Sequence, residues 1–250
     1  MSPTKRPYAV LDIDGTLIRW QLYHALADTL VKQQQIDPLK YEAVLAMRMN
    51  WKNRNSPNSF AEYENSLVKL VNQSFDGLDY RAFIAACDSV IKRYRGQVYT
   101  YTRDLIASLK KQGYLVFAIS GSPYELVKEI CSSYKFDDFG ATEHFNKDGK
   151  YKPAARVATD KNKAVILKSL ITKHGATNNG SIAVGDTIGD RHILELVEQP
   201  IAFNPSRELF DLAQAKRWAV VIERKNMVYR LQYENGRYVL AAPNSGPSLI

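Results

Sequence analysis

Cysteine is almost missing from this chain. Cys87 and Cys131 are the only two in 250 residues, and two thiols alone build neither a disulfide framework nor a zinc site. Both sit in helix-like segments, A-A-C-D-S-V and V-K-E-I-C-S-S, where buried free thiols are expected. Long apolar runs are missing too. No stretch approaches the ~20 uninterrupted apolar residues of a membrane span, so no span is expected. The start, M-S-P-T-K-R-P-Y, lacks the apolar heart of a signal peptide, and the expected location is the cytoplasm. Internal repeats and low-complexity tracts are absent. Acidic residues run short: 26 Asp and Glu stand against 34 Lys and Arg, a formal charge of +8. The excess is concentrated at residues 144–168 and 216–237. Such a surface attracts phosphates, nucleic acid or lipid head groups. No residue pattern of the common nucleic-acid-binding modules accompanies it, so nucleic acid is the minor expectation.

What is present is a globular composition, 45% hydrophobic and 24% charged. Short apolar runs at 8–11, 114–119, 181–184, 200–203 and 218–222 read as strands buried on both faces. Helical patterns separate them at 101–112, 123–134, 162–174, 189–198 and 205–215. This alternation predicts an α/β fold, a Rossmann-like doubly wound parallel sheet with helices on both faces. Residues 20–96 break the pattern. They are polar-aromatic, lack buried strands, and are punctuated at Asp37-Pro38, Ser56-Pro57 and Asp76-Gly77 into about four helices. The expected organisation is a core of residues 1–19 and 97–225, a helical insert at 20–96, and a C-terminal extension at 226–250. A hairpin is expected within 141–153, turning at Lys147-Asp148-Gly149, and a second at Asn235-Gly236. The last residues, P-N-S-G-P-S-L-I, read as frayed.

One stretch sets a chemical question. In Y-A-V-L-D-I-D-G-T-L the apolar run stops at Asp12 and Asp14, which alternation places on one side of the chain. Two close carboxylates repel unless a cation or proton is shared, and Mg²⁺ suits few carboxylates plus phosphate and water. An EF-hand loop is ruled out, because its sixth and twelfth positions would be Leu17 and Tyr23. Ligands of a parallel sheet gather at the carboxyl ends of its strands, and three further fragments fall there or close by. Ser120-Gly121-Ser122-Pro123 offers a hydroxyl and backbone N–H groups at a helix start, a phosphate cradle. V-G-D-T-I-G-D supplies Asp186 and Asp190. Lys163 heads the helix before that strand, a fitting point charge for a phosphate.

On these four fragments the chain resembles the haloacid dehalogenase superfamily of phosphohydrolases. More narrowly it looks like the branch that includes phosphoserine phosphatase (subfamily IB), with a helical cap inserted after the first motif. The resemblance covers about residues 7–222, with D-x-D-G-T at Asp12–Thr16. It implies Asp12 as nucleophile and Asp14 as acid and base. It implies Mg²⁺ held by Asp12, the Asp14 backbone carbonyl, Asp186 and Asp190, the last as ligand or as anchor for water. Thr16, Ser120, Gly121 and Lys163 would hold the phosphoryl oxygens, with Lys161 the alternative lysine. A carboxyl at Asp14 favours a phosphatase or phosphotransferase over a dehalogenase.

The substrate end departs from that branch. Phosphoserine phosphatases carry a Glu nine residues after the nucleophile, where this chain has Gln21. The cap arginine has no match after Phe60, in A-E-Y-E-N-S-L-V-K, and the second motif is S-G-S-P rather than S-G-G-F. The expected substrate is therefore a small phosphomonoester other than phosphoserine. Trp20, Gln21, Tyr23, Arg48, Trp51 and Arg54 are the insert's candidates for holding it. His24 reads as a packing residue. The rival expectations are a phosphotransferase or mutase with the same intermediate, and a phosphatase acting on nucleic-acid or lipid head-group phosphate.

Overall fold

The computed structural model describes residues 5–56, 58–156 and 160–241. Strands β1 (Pro7–Leu11), β2 (Leu115–Pro123), β3 (Asp138–Lys147), β4 (Lys150–Arg156), β5 (Thr177–Gly185), β6 (Gln199–Phe203), β7 (Ala219–Arg224), β8 (Met227–Glu234) and β9 (Arg237–Leu240) form one sheet. Their order is β4-β3-β2-β1-β5-β6-β7-β8-β9. Pairings from β3 through β7 are parallel, and β4, β8 and β9 join antiparallel at the two edges. The chain builds from β1 outward through β2 and β3, then returns beside β1 and builds the other way through β5. Where connections diverge like this, a crevice opens at the strands' carboxyl ends. The end of β1, and with it Asp12, lies at that reversal.

Alternate residues of β1 serve different cores. Ala9 and Leu11 belong to one buried cluster and Tyr8 and Val10 to the other. That is why Y-A-V-L has no polar alternation: both faces are covered. Helices α5 (Thr100–Lys111) and α6 (Tyr124–Tyr134) contribute to the first cluster. Helices α7 (Asp160–His174), α8 (Arg191–Leu194) and α9 (Arg207–Lys216) contribute to the second.

Between β1 and α5 stand four helices: α1 (Leu22–Lys32), α2 (Pro38–Lys52), α3 (Ser59–Phe75) and α4 (Tyr80–Tyr94). Asp37 caps α2 through Leu39 N with Pro38 in the first turn, and Asp79 caps α4 through Arg81 N and Ala82 N. Their apolar faces are not a separate core. Leu22, Leu26, Tyr63, Leu67 and Phe83 belong to the same buried cluster as Ala9 and Leu11 of the sheet.

Both expected hairpins form, β3–β4 and β8–β9. Two expectations need correction. The helix foreseen at 189–198 is a short 3-10 turn, Ile188–Asp190, followed by α8, which stops at Leu194. Asp190 there is committed to side-chain bonds that fix a tight turn. β3 is more than a hairpin arm: Phe117, Ala118 and Ile119 of β2 pair with Asp138, Phe139 and Gly140. Its sequence, D-F-G-A-T, carries no continuous apolar run to announce a core strand. Pro57 and the frayed terminal segment foreseen at 243–250 lie outside the described residues.

Candidate active site

The loop after β1 is the foundation. Asp12 N donates to Val184 O at 3.0 Å, extending the β1–β5 ladder by one residue. The chain then coils on itself, with Leu17 N and Ile18 N both donating to Ile13 O at 2.9 Å. Gly15 has φ +80°, and a Cβ there would lie 2.1 Å from Asp186 Oδ2. Only glycine allows both the turn and that approach. Thr16 is fully buried; its hydroxyl donates to Asp186 Oδ1 at 3.1 Å, and its carbonyl accepts from the Thr102 hydroxyl of α5 at 2.9 Å.

Asp12, Lys163 and Asp190 form a buried ionic trio. Lys163 Nζ, from the first turns of α7, donates to Asp12 Oδ1 and to Asp190 Oδ1, each at 2.6 Å. Asp190 Oδ2 accepts from the backbone N–H groups of Asp186 and Thr187 at 3.1 and 3.2 Å. Burial disfavours the Lys163 ammonium, yet the two carboxylates outweigh it and raise its pKa. Burial pushes the Asp12 carboxyl well above the usual range; Lys163 opposes this, and Asp190 and Asp14 add to it. Asp186 is raised well above its usual value by burial, then by Asp12 and Asp190.

Burial is the larger cause of those shifts, and the mutual repulsion of the carboxylates adds to it. Carboxylate oxygens of Asp12, Asp186 and Asp190 all lie within 4.8 Å of one another. An all-oxygen donor set carrying excess negative charge fits a small hard cation such as Mg²⁺. Since both Asp190 oxygens already accept bonds, Asp12 and Asp186 are the more available donors.

Asp14 faces a different set of partners. Its Oδ1 accepts from Leu22 N at 2.5 Å, capping α1, whose N-cap residue Gln21 makes no side-chain cap bond. Its Oδ2 accepts from the Ser120 and Ser122 hydroxyls at 2.7 and 2.9 Å. Burial raises its pKa, against the pull of Ser120, Leu22, Ser122 and Lys163. The Asp14 side chain is outside the metal-competent trio. Ser122 N donates to Ser120 Oγ at 3.0 Å, and the Gly121 carbonyl accepts from the Thr142 hydroxyl at 2.7 Å, so the S-G-S turn is held from both ends.

A cleft of about 670 Å³ opens beside this centre. Gly15, Gln21 and Asp186 line it; Trp20, Trp51, Arg54 and Phe60 come from the insert side; Arg19, Tyr99, Asn204 and Arg207 are among its other lining residues. Four of the six substrate candidates, Trp20, Gln21, Trp51 and Arg54, therefore share one cavity. The other two do not line it. Arg48 is a strut inside the insert: it donates to both Asp28 oxygens at 3.1 and 2.8 Å and to the Tyr63 and Tyr41 hydroxyls at 2.7 and 2.8 Å. Tyr23 is half-buried on α1, with its hydroxyl pKa raised by burial.

Four residues at or beside the site escape sequence reasoning. Ser122 was visible in S-G-S but not separable from Ser120. Arg19 and Arg207 lie far apart in the chain and meet only across the cleft. Glu64 stands one helical turn after Phe60 on α3. Burial raises its carboxyl, Asp14 adds to the rise and Lys163 opposes it, so it feels the charges of those two residues. Its signal was helical spacing, i to i+4 from an aromatic residue. Of the Lys161 side chain, the described residues include nothing.

A family model of haloacid dehalogenase-like hydrolases matches residues 9–195. The chain belongs to that family. It is 26% identical over 227 residues to a phosphoserine phosphatase of Archaeoglobus fulgidus, covering 89% of this chain and 61% of that protein. It thus spans less than two thirds of that relative's length. Among solved structures, a Bordetella pertussis Tohama I protein of unknown function matches with a TM-score of 0.67 at 20% identity, over 88% of this chain and 99% of that one. A phospho-aspartyl intermediate analogue of phosphoserine phosphatase matches with a TM-score of 0.64 at 22% identity, over 89% and 96%. At those identities the likeness is one of fold. Among the described residues no helix is long and apolar enough to cross a membrane.

Proposed function

We propose that this haloacid dehalogenase-like hydrolase is a Mg²⁺-dependent phosphatase of small phosphomonoesters, working through an aspartyl-phosphate on Asp12. The observation that carries the reading is the split between two nearby carboxylates. Asp12 is tied to Lys163 at 2.6 Å within a metal-competent acidic trio, whereas Asp14 is held by Ser120, Ser122 and the start of α1. Two carboxylates in different environments divide into two roles.

The Asp12 oxygen not bonded to Lys163 attacks phosphorus as the bond to the leaving oxygen breaks. Asp14, its carboxyl raised by burial, gives that oxygen its proton. Water then attacks the aspartyl-phosphate, Asp14 takes the water's proton, and inorganic phosphate leaves with Asp12 restored. Lys163, Ser120, Ser122, Thr16 and the Gly121 backbone orient and neutralise the phosphoryl group. Asp12, the Asp14 carbonyl and Asp186, with Asp190 in support, would hold Mg²⁺, which when bound would supply positive charge for the phosphoryl oxygens. Helices α1–α4 act as the cap. Because neutral Gln21 lines the cleft where an acidic partner for an ammonium is expected, the substrate is one other than phosphoserine.

The test is phosphate release from a panel of phosphomonoesters, phosphoserine included, with Mg²⁺ and with chelator. Release is expected only with Mg²⁺, at background in Asp12→Asn and about 10²–10⁴-fold lower in Asp14→Asn. Undiminished turnover by Asp12→Asn would remove the covalent mechanism.

A further inference from the structure

The walls of the cleft carry charge that the Asp12 centre does not use. Arg19, Arg54 and Arg207 line it, and among the described residues the only acid lining it is Asp186, which belongs to the metal-competent trio. They arrive from three places: the loop after β1, the α2–α3 connection and the first residue of α9. Among the described residues neither Arg19 nor Arg54 has a carboxylate partner; Arg19 lies over the Tyr99 ring at 5.5 Å. Arg207 donates to Asp211 at 3.1–3.2 Å while remaining exposed. All three arginines are exposed to the cleft's solvent, and their planar forks match phosphate and carboxylate.

Beside polar Gln21, Ser56, Ser59, Thr187 and Asn204, one part of the wall is a packed group of aromatic rings, Trp20, Trp51 and Phe60. Trp51 stacks on Tyr63 at an interplanar angle of 9° and packs against Phe60 with ring centroids 5.0 Å apart; Trp20 lies 6.5 Å from Trp51. Tyr63 is itself held by Arg48. Such a wall is preorganised, so a ligand does not spend binding energy ordering it. The cavity, about 670 Å³, lies within the range of sites for whole metabolites, far beyond what a serine-sized leaving group fills.

We propose that this cleft is the leaving-group subsite, and that the substrate is a phosphomonoester whose leaving group carries an apolar or flat body and a second anionic group. The body lies on Trp20, Trp51 and Phe60. The second anion, phosphate or carboxylate, is gripped by Arg54 from the insert and by Arg19 and Arg207 from the sheet side. The proposal rests on the phosphatase reading of the Asp12 centre.

Matched pairs decide it. Phosphate release is measured from a hexose monophosphate and the corresponding hexose bisphosphate, from phenyl phosphate and carboxyphenyl phosphate, and from methyl phosphate, whose leaving group is too small to reach the cleft and which reports the Asp12 centre alone. The doubly anionic member of at least one pair is expected to lead in kcat/KM by about tenfold, and the leading pair tells phosphate from carboxylate. Arg54→Gln and Arg207→Gln should each shrink that lead several-fold, mainly through KM. Methyl phosphate turnover with no preference in either pair overturns the subsite and leaves the phosphatase reading standing. Absence of all turnover counts against that reading. Tryptophan fluorescence titration of Asp12→Asn with the same sugar phosphates then still judges the cleft, because Trp20 and Trp51 line it and Trp218 lies in the second core. Equal quenching by both members sinks the proposal; tighter bisphosphate binding, weakened in the Arg54→Gln background, supports it.

Discussion

At the scale of single residues the site holds charges where charges are costly. Among the described residues Lys163 is the sole counter-charge bonded to both Asp12 and Asp190. Lys163→Met should destabilise the chain by about 3–5 kcal/mol, the range for breaking a buried pair, read from the urea midpoint; a loss under 1 kcal/mol would contradict the ionic trio. His24 presents the opposite case, a titratable group kept neutral. It is 1% exposed among Trp20, Phe60 and Tyr63, with Nδ1 unpartnered among the described residues. Burial pushes its pKa from 6.5 down to about 3, Arg48 adds to the fall and Asp28 opposes it. The unfolded chain therefore takes up a proton near pH 6.5 that the folded chain refuses until about pH 3. Stability from His24 is complete above that upper pH and is lost below it, by up to about 1.4 kcal/mol per pH unit. Denaturation of wild type and His24→Phe at neutral pH and near pH 5 checks this: the variant should lose less on acidification, and parallel losses would refute the assignment.

At the scale of elements, the connection between α5 and the far side of the sheet comes from Glu223 of β7. Its two oxygens accept from Thr100 N and Tyr101 N at 3.0 and 2.8 Å, filling two of the orphan donors of α5, whose N-cap Tyr99 provides no side-chain cap. Asn204, after β6, accepts from Glu223 N at 2.9 Å and lines the cleft. A remote acid thus does the work of a local cap. Glu223→Ala should cost about 1–2 kcal/mol. Because α5 also holds the Thr16 carbonyl through Thr102, amide exchange of the 100–105 segment should rise with it. Unchanged protection there would show that packing alone holds the helix end.

At the scale of the whole molecule, the site is assembled from segments spread across the described chain: the end of β1, the turn after β2, the head of α7 and the turn after β5. None is complete without the others, so binding at their junction stabilises the entire fold by mass action. A ligand at a hundred times its dissociation constant adds about 2.7 kcal/mol. Mg²⁺ should therefore raise the thermal midpoint of wild type, chelator should reverse the rise, and Asp186→Asn should lose most of it. An equal rise in that variant would place the cation elsewhere. The insert shares the sheet's own buried cluster, so its helices approach the site as packed elements rather than as a detached lid.

How much of this was legible beforehand follows from the range of the interactions. Y-A-V-L before Asp12, Asp37-Pro38, Asp76-Gly77 and Asn235-Gly236 are local statements of burial period and turn chemistry, and strands, insert helices and hairpins could be read from them. Asp12, Asp14, Ser120, Lys163, Asp186 and Asp190 were legible because each ends or begins an element, and a parallel sheet brings such ends together. What only the tertiary structure decided depends on contacts between distant segments. Arg48 and Arg54 look alike in M-R-M-N-W-K-N-R-N, yet Asp28, from another helix, takes one into the insert's interior while the other lines the cleft. Arg207 joins Arg54 there across more than half of the chain's length. Periodicity records which side of an element is buried; it does not record which charge from a distant segment will face it.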